Sequence, residues 1–205
     1  MTTMYLCLVV LLFTQAALLD VFYSLDLQVL ELLHGSRLAL VDFMLLFLTD
    51  TAYAIGVLVP ISLYLAGYIW KDKALKFKAV QYVFAMALNV LIVGTLKYSV
   101  DRPRPFLNNA TITQLAEADS SSFPSGHTAF AFTAAVTLAL MFHSNLFRGV
   151  VLVWALLIAY SRLALGVHYP SDVLASVLLG SLAAVLTGYS FRKHMLVSPI
   201  IRRLL

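Results

Sequence analysis

Long uncharged runs alternate with short clusters of charge along this chain, and the length of the runs decides how they are read. A helix needs roughly 20 mostly apolar residues to cross a bilayer, and six stretches meet or approach that length. The first runs from about Met4 to Tyr23, with Asp20 near its end. No Lys or Arg precedes it and no small-x-small cleavage site follows, so it reads as a retained helix rather than a signal peptide. Leu25 to Arg37 is shorter and interleaves leucines with Asp26, Glu31 and His34, a pattern that predicts a helix lying at the membrane interface. The second span is expected at about Ala52 to Trp70. The apolar piece Leu38 to Leu48 before it either extends that span or lies at the interface. Lys71, Lys73, Lys76 and Lys78 form a basic turn, and Ala79 to Leu96 is the third span.

A polar segment follows, Tyr98 to Ser122, with Pro103 and Pro105 inside it and Pro124 just beyond. Thr128 to Phe142 and Val150 to Tyr160 seed the fourth and fifth spans, the latter extending toward Leu165. Val173 to Phe191 makes the sixth, and Arg192, Lys193, Arg202 and Arg203 mark a basic tail. Gly180, Ala184 and Gly188 recur every four residues on one face of the last span, where they permit close approach of another helix, in the same chain or another. The pattern predicts an all-α polytopic membrane protein: a bundle of six transmembrane helices with an interfacial helix near the N-terminus, forming one domain over residues 1–205. Oligomeric state is not legible.

Composition agrees. Of 205 residues, 61% are hydrophobic and 12% charged, against roughly 25% charged in soluble domains. The net charge of +4 has no basic run long enough to track a nucleic acid, so no nucleic-acid partner is expected. Cys7 is alone in the chain and reads as a small buried hydrophobe. The charges speak to orientation instead. Six spans place Lys71, Lys73, Lys76, Lys78, Arg148, Arg192, Lys193, Arg202 and Arg203 on the side of both termini, and Arg37, Lys97, Arg102, Arg104 and Arg162 opposite. The excess of positive charge on inner loops then predicts cytoplasmic termini, with the second group facing the periplasm or exterior, as in a bacterial inner membrane.

Candidate chemistry gathers in three places on that outer side. Lys97 is followed by Arg102-Pro103-Arg104-Pro105, where proline holds each preceding residue extended; the plain alternative is a snorkelling lysine and solvated arginines. Ser122-Phe123-Pro124-Ser125-Gly126-His127 immediately precedes the fourth span. Ser125 stands where it would cap that helix, Gly126 allows close approach to the backbone, and the helix N-terminus favours an anion. Ser161-Arg162 and His168-Tyr169-Pro170-Ser171-Asp172 lie where the fifth span passes to the sixth. Asp172 can accept a hydrogen bond from one ring nitrogen of His168 and leave the other free to attack. Arg162 suits phosphate oxygens. An Arg162–Asp172 salt bridge with an idle histidine is the alternative.

Taken together, Lys97-x6-Arg104-Pro105, Pro124-Ser125-Gly126-His127 and Ser161-Arg162-x5-His168-x3-Asp172 resemble the signature of the type 2 phosphatidic acid phosphatase (PAP2) superfamily over residues 97–172. The resemblance implies a membrane lipid phosphatase. His168 would be the nucleophile forming a phosphohistidine, Asp172 its orienter, and His127 the general acid and base. Lys97, Arg104, Arg162, Ser125 and Gly126 would bind the phosphate. It implies no metal and no cofactor, and as substrate a lipid phosphate such as phosphatidic acid, phosphatidylglycerol phosphate or undecaprenyl diphosphate. Arg102 falls outside the matched positions and reads as auxiliary or solvated. A lipid phosphotransferase would share every motif; a vanadate-dependent haloperoxidase resembles the set too, but those are soluble and the apolar spans argue strongly against one. A transporter or a lipid-binding protein without turnover is the remaining alternative, though spans bare of polar groups other than Asn89 and scattered Ser or Thr argue against transport.

Overall fold

The computed structural model describes residues 20–197. They form seven α-helices and no strand: α1 (20–35), α2 (Asp42–Ile69), α3 (Lys73–Val100), α4 (Pro105–Asn108), α5 (Gly126–Met141), α6 (Asn145–Ala164) and α7 (Pro170–Val197). A 3-10 turn, Ala39–Val41, leads into α2. Four helical segments are long and apolar enough to cross a membrane: Ala39–Ile69, Lys73–Asn108, Asn145–Ala164 and Pro170–Lys193. The expected fourth span is the shorter α5, of 16 residues. The predicted first span lies outside the described residues except for 20–23, so the count of six is not reached among them.

The short helix is the central one. α5 packs against α2, α3, α6 and α7, and its Thr128, Ala129, Ala131, Ala134 and Ala135 are fully enclosed. At 1.5 Å per residue its 16 residues rise only about 24 Å, and its neighbours rather than lipid cover most of it. The outer helices show the reverse pattern. Leu58, Ile61, Leu91, Leu156, Leu178 and Leu182 project from the bundle, so apolar side chains face both inward and outward, as lipid surroundings require. Small residues set the internal contacts. A Cβ at Gly180 would strike the Ala129 carbonyl, and Thr133 Oγ1 donates to Ala129 O at 2.8 Å and Gly180 O at 3.1 Å. At Gly188 the neighbours are Gln81 and Leu140. The small-residue stripe of α7 therefore meets α5 and α3 of its own chain.

Several expected boundaries move. Leu38 to Leu48 extends α2 through the Ala39–Val41 turn instead of forming a separate interfacial piece. Of the basic turn only Lys71 and Asp72 lie between helices. Lys73, Lys76 and Lys78 are helical because Asp72 caps α3, accepting from Ala74 N at 2.7 Å and Leu75 N at 3.2 Å. No breaker separates Tyr23 from Leu25, and α1 runs straight through Ser24. The buried face of α1 carries Asp26, Leu30 and His34, four residues apart, while Phe22, Leu25, Val29 and Leu32 are exposed. Asp26 and His34 thus turn toward the protein beside Leu30, while most of the apolar residues face outward. His34 Nδ1 donates to Ala164 O (2.8 Å) and Nε2 accepts from Thr113 N (3.2 Å). Glu31 accepts from Asn109 Nδ2 and Thr111 Oγ1.

The end of α6 shows why the third motif has its spacing. Val167 N–H bonds to Arg162 O and Gly166 N–H to Leu163 O, the paired bonds of a Schellman motif, with Gly166 in the left-handed region at φ 72°. This turn reverses the chain within four residues and brings His168 back toward Arg162. Glycine is required twice over, because a Cβ at 166 would also stand 2.5 Å from Thr113 O. Gly166→Ala is expected to destabilise the protein by at least about 1–3 kcal/mol, the cost of the left-handed conformation for a residue with a Cβ. A melting temperature in detergent unchanged from the parent would contradict this.

Candidate active site

The first turn of α7 organises the site. Pro170 is its first residue, so Tyr169 is the N-cap and Asp172 the third helical residue. From there the Asp172 side chain folds back to accept from Tyr169 N at 3.0 Å, one half of a capping box. That geometry brings a carboxylate over the helix start, beside the residue preceding the cap, His168. Asp172 Oδ2 also accepts from Ser122 Oγ at 2.5 Å, and Oδ1 pairs with Arg102 at 2.5 Å. Asp172 is fully buried, His168 is 2% exposed, and Asp172 Oδ2 stands 3.7 Å from His168 Nδ1. The expected hydrogen bond between them is not closed at this distance, although the ring nitrogen has no other partner. The alternative Arg162–Asp172 salt bridge does not form.

His168 Nε2 faces the other way, 3.3 Å from Arg104 Nη1. Arg104 is buried and donates to Val167 O and Ser120 O, both at 2.8 Å. Arg162, also buried, donates to Thr49 Oγ1 at 3.0 Å, and its Nε has no partner. Lys97 Nζ donates to Ser121 O at 2.5 Å. The chain segments around 102–104 and 120–122 lie side by side, tied further by Ser122 N–H to Arg102 O at 2.7 Å. Lys97, Arg104 and Arg162 repel one another electrostatically. Among the described residues none of the three has a carboxylate within 4 Å. Three neighbouring cations held by carbonyl and hydroxyl oxygens and a ring nitrogen, with no carboxylate, are suited to an anion.

At the start of α5, Ser125 holds the N-cap position, but its hydroxyl pairs with Thr128 Oγ1 at 3.0 Å and takes no backbone N–H. The first amides of the helix are left for another acceptor. Gly126 lets Tyr53 approach, since a Cβ there would be 3.2 Å from its hydroxyl. The Tyr53 ring meets the His127 ring edge-on at 4.4 Å. His127, Arg162, Thr49, Asp50, Tyr53 and Glu117 line a pocket of about 340 Å³; His168 is not on its surface.

All eight expected site residues therefore converge: Lys97 from α3, Arg104 before α4, Ser125, Gly126 and His127 at α5, Arg162 at the end of α6, and His168 and Asp172 at α7. Sequence reasoning missed Ser122, Tyr53, Thr49 and Asp26, and of its two readings of Arg102, auxiliary or solvated, the contacts fit the first. Far from solvated, Arg102 bridges Asp172 and Asp26 and stacks 3.8 Å over the Tyr169 ring. Only its place in the Arg-Pro-Arg-Pro run hinted at this; Asp26 gave no signal beyond being an acid in an apolar helix.

Fold and site together define an integral membrane protein with a cluster of buried cations and histidines at one end of a helical bundle. The model of the PAP2 superfamily matches residues 78–196, and the chain belongs to that superfamily. It is 28% identical to undecaprenyl-diphosphatase BcrC of Bacillus subtilis over 82% of each chain. It is 34% identical to an undecaprenyl-diphosphatase of Sulfolobus acidocaldarius, over 62% of this chain and 65% of the relative. Among solved structures, LpxE of Aquifex aeolicus superposes with a TM-score of 0.65 at 29% identity, covering 80% of this chain and 94% of that one. A PAP2-type phosphatidylglycerolphosphate phosphatase of Bacillus subtilis superposes at 0.71 with 21% identity, covering 88% and 89%, which supports the fold. The expected family, all-α membrane fold and lipid phosphatase class are borne out.

Burial lowers the proton affinity of His168, Arg162 and Arg104 lower it further, and Asp172 opposes them; the balance holds the ring down at about 4. The ring is therefore neutral at pH 7. Folded protein binds fewer protons here than unfolded chain between about pH 6.5 and 4, so this residue makes stability fall as pH drops through that window. NMR titration of the His168 ring should show a midpoint well below the ordinary 6.5; a midpoint at or above 6.5 would refute the balance described.

Proposed function

We propose that His168, His127 and Asp172 carry out hydrolysis of a lipid phosphate through a phosphohistidine. The supporting observation is the placement of His168 beside Arg104 and Arg162, which Lys97 adjoins, with no carboxylate within 4 Å of any of the three cations among the described residues. His168 Nε2 attacks phosphorus as the bond to the leaving oxygen breaks, and His127 delivers a proton to that oxygen. Water then attacks phosphorus, His127 takes its proton, the P–N bond breaks, and inorganic phosphate leaves with His168 restored. Asp172 holds Nδ1 and offsets the positive charge the ring acquires, closing the 3.7 Å gap as it does so; such contacts are commonly loose before substrate binds. Lys97, Arg104, Arg162 and the amides near Ser125 and Gly126 hold the phosphoryl oxygens, most tightly in the transition state. Because His168 is nearly enclosed, the phosphate must displace part of the wall between pocket and ring.

No metal is invoked, because three cations carry the charge a divalent ion would otherwise balance, and those cations repel a metal at His168 and Asp172. As substrate we favour a polyprenyl diphosphate, on the similarity to undecaprenyl-diphosphatases of two organisms. The basic ends of α3 and α7, with Lys73, Lys78 and Arg192 around one groove, lie at the end of the bundle away from the site. Together with the bias of inner loops toward positive charge, this supports cytoplasmic termini and a site facing outward.

Purified protein should release phosphate from undecaprenyl diphosphate faster than from phosphatidic acid or phosphatidylglycerol phosphate, undiminished in excess chelator. His168→Ala should abolish release, and Arg162→Lys should lower kcat/KM by roughly 10²–10³-fold, the scale of losing a transition-state donor. Activity lost to chelator and restored by a divalent ion would overturn the metal-free chemistry. Transfer of phosphate to a second lipid, detected by mass spectrometry, would make the enzyme a phosphotransferase. A reporter fused after Leu205 should be active only in the cytoplasm; periplasmic activity would reverse the orientation.

A further inference from the structure

The Asp172 carboxylate is held at three points, and one of them leads out of the centre to α1. Ser122 Oγ and Tyr169 N–H fix Oδ2, while Oδ1 rests on the Arg102 guanidinium. Arg102 is in turn fixed from outside. Its Nη2 donates to Asp26 Oδ2 at 2.8 Å, its Nη1 to Ser171 Oγ at 2.7 Å, and its plane lies over Tyr169. Asp26 does more than hold the arginine: Oδ1 accepts the Ser171 backbone N–H at 2.8 Å, and Oδ2 accepts from the Ser171 hydroxyl. It thereby caps the first turn of α7, which bears Asp172, with a side chain from a helix 145 residues earlier in the chain.

We propose that Asp26 and Arg102 are positioning residues of the catalytic centre, and that the ion pair between them sets where Asp172 stands beneath His168. This rests on the reading of His168 as nucleophile and Asp172 as its orienter. The physics is that of a cation shared between two carboxylates. With Asp26 present, Arg102 is pulled from both sides and keeps its bridging place. Without Asp26 its second amino group loses its partner, and a side chain already 21% exposed is drawn to solvent or wholly onto Asp172. The first outcome leaves a buried carboxylate short of a charge partner, and the second draws it away from His168. α1 is therefore part of the reaction machinery and not only a membrane-surface strut, although neither Asp26 nor Arg102 touches phosphate.

The test compares phosphate release by the wild-type chain, His168→Ala, Asp26→Asn, Arg102→Gln, Arg102→Lys and the Asp26→Asn/Arg102→Gln double variant, on one lipid phosphate, with melting temperatures measured in parallel. Asp26→Asn and Arg102→Gln should each lower kcat by roughly 10–100-fold, the scale of outer partners that orient an active group, with KM within about twofold. The double variant should be no slower than the worse single one, since both break one link, and Arg102→Lys should recover part of the loss. Wild-type kcat in both singles overturns the proposal. So does raised KM at unchanged kcat, which makes Arg102 a substrate contact, and so does failure of both variants to fold, which makes the pair a strut. If wild type releases no phosphate or His168→Ala keeps its activity, it is the underlying reading of the centre that fails.

Discussion

A carboxylate that is fully buried must be satisfied on every side or it destabilises what surrounds it, and Asp172 is such a group. Its solution shapes the site: a backbone amide from its own helix start, a hydroxyl from the segment before α5, and a guanidinium from the connection after α3. The last two bonds tie different parts of the chain to the first turn of α7. Satisfying one buried charge thus assembles three motif segments, and leaves Asp172 near His168 Nδ1 with its lone pairs largely committed.

The cations answer to a different constraint. Lys97, Arg104 and Arg162 are kept close by carbonyl and hydroxyl acceptors rather than by carboxylates. Carbonyl oxygens fix the side chains without cancelling their charge, so an incoming phosphate meets the full field. Burial, reinforced by the charges of Arg162 and Arg104, keeps His168 neutral, which is the state the proposed nucleophile needs. On the proposed reading, binding site and nucleophile are prepared by one electrostatic arrangement.

That arrangement depends on the bundle. α5 is short and central, and its N-terminus opens at the same end as the Schellman turn of α6 and the start of α7. Lipid-facing leucines on the outer helices leave the interior to small residues, and Gly180 against Ala129 brings α7 close to α5. The chemical end and the basic end are separated by the length of the helices.

The membrane class, six of the seven described helices and all eight motif residues were legible in sequence, because apolar length and motif spacing are local properties. His168-x3-Asp172 encodes a helix start, and Arg162-x5-His168 encodes a helix end with Gly166 between, so local geometry explains those intervals. Helix ends were less legible: α3 begins early because Asp72 caps it, and α1 ignores the expected break at Ser24. Ser122, Tyr53, Thr49 and above all the Asp26–Arg102 pair were not legible. Asp26 lies 145 residues from Ser171 and 76 from Arg102, and its neighbours in the chain suggest only an interfacial helix. Spacing can express which residues share a turn, but a buried charge takes its partner from whatever element the packing brings beside it, and only the tertiary structure decides which that is.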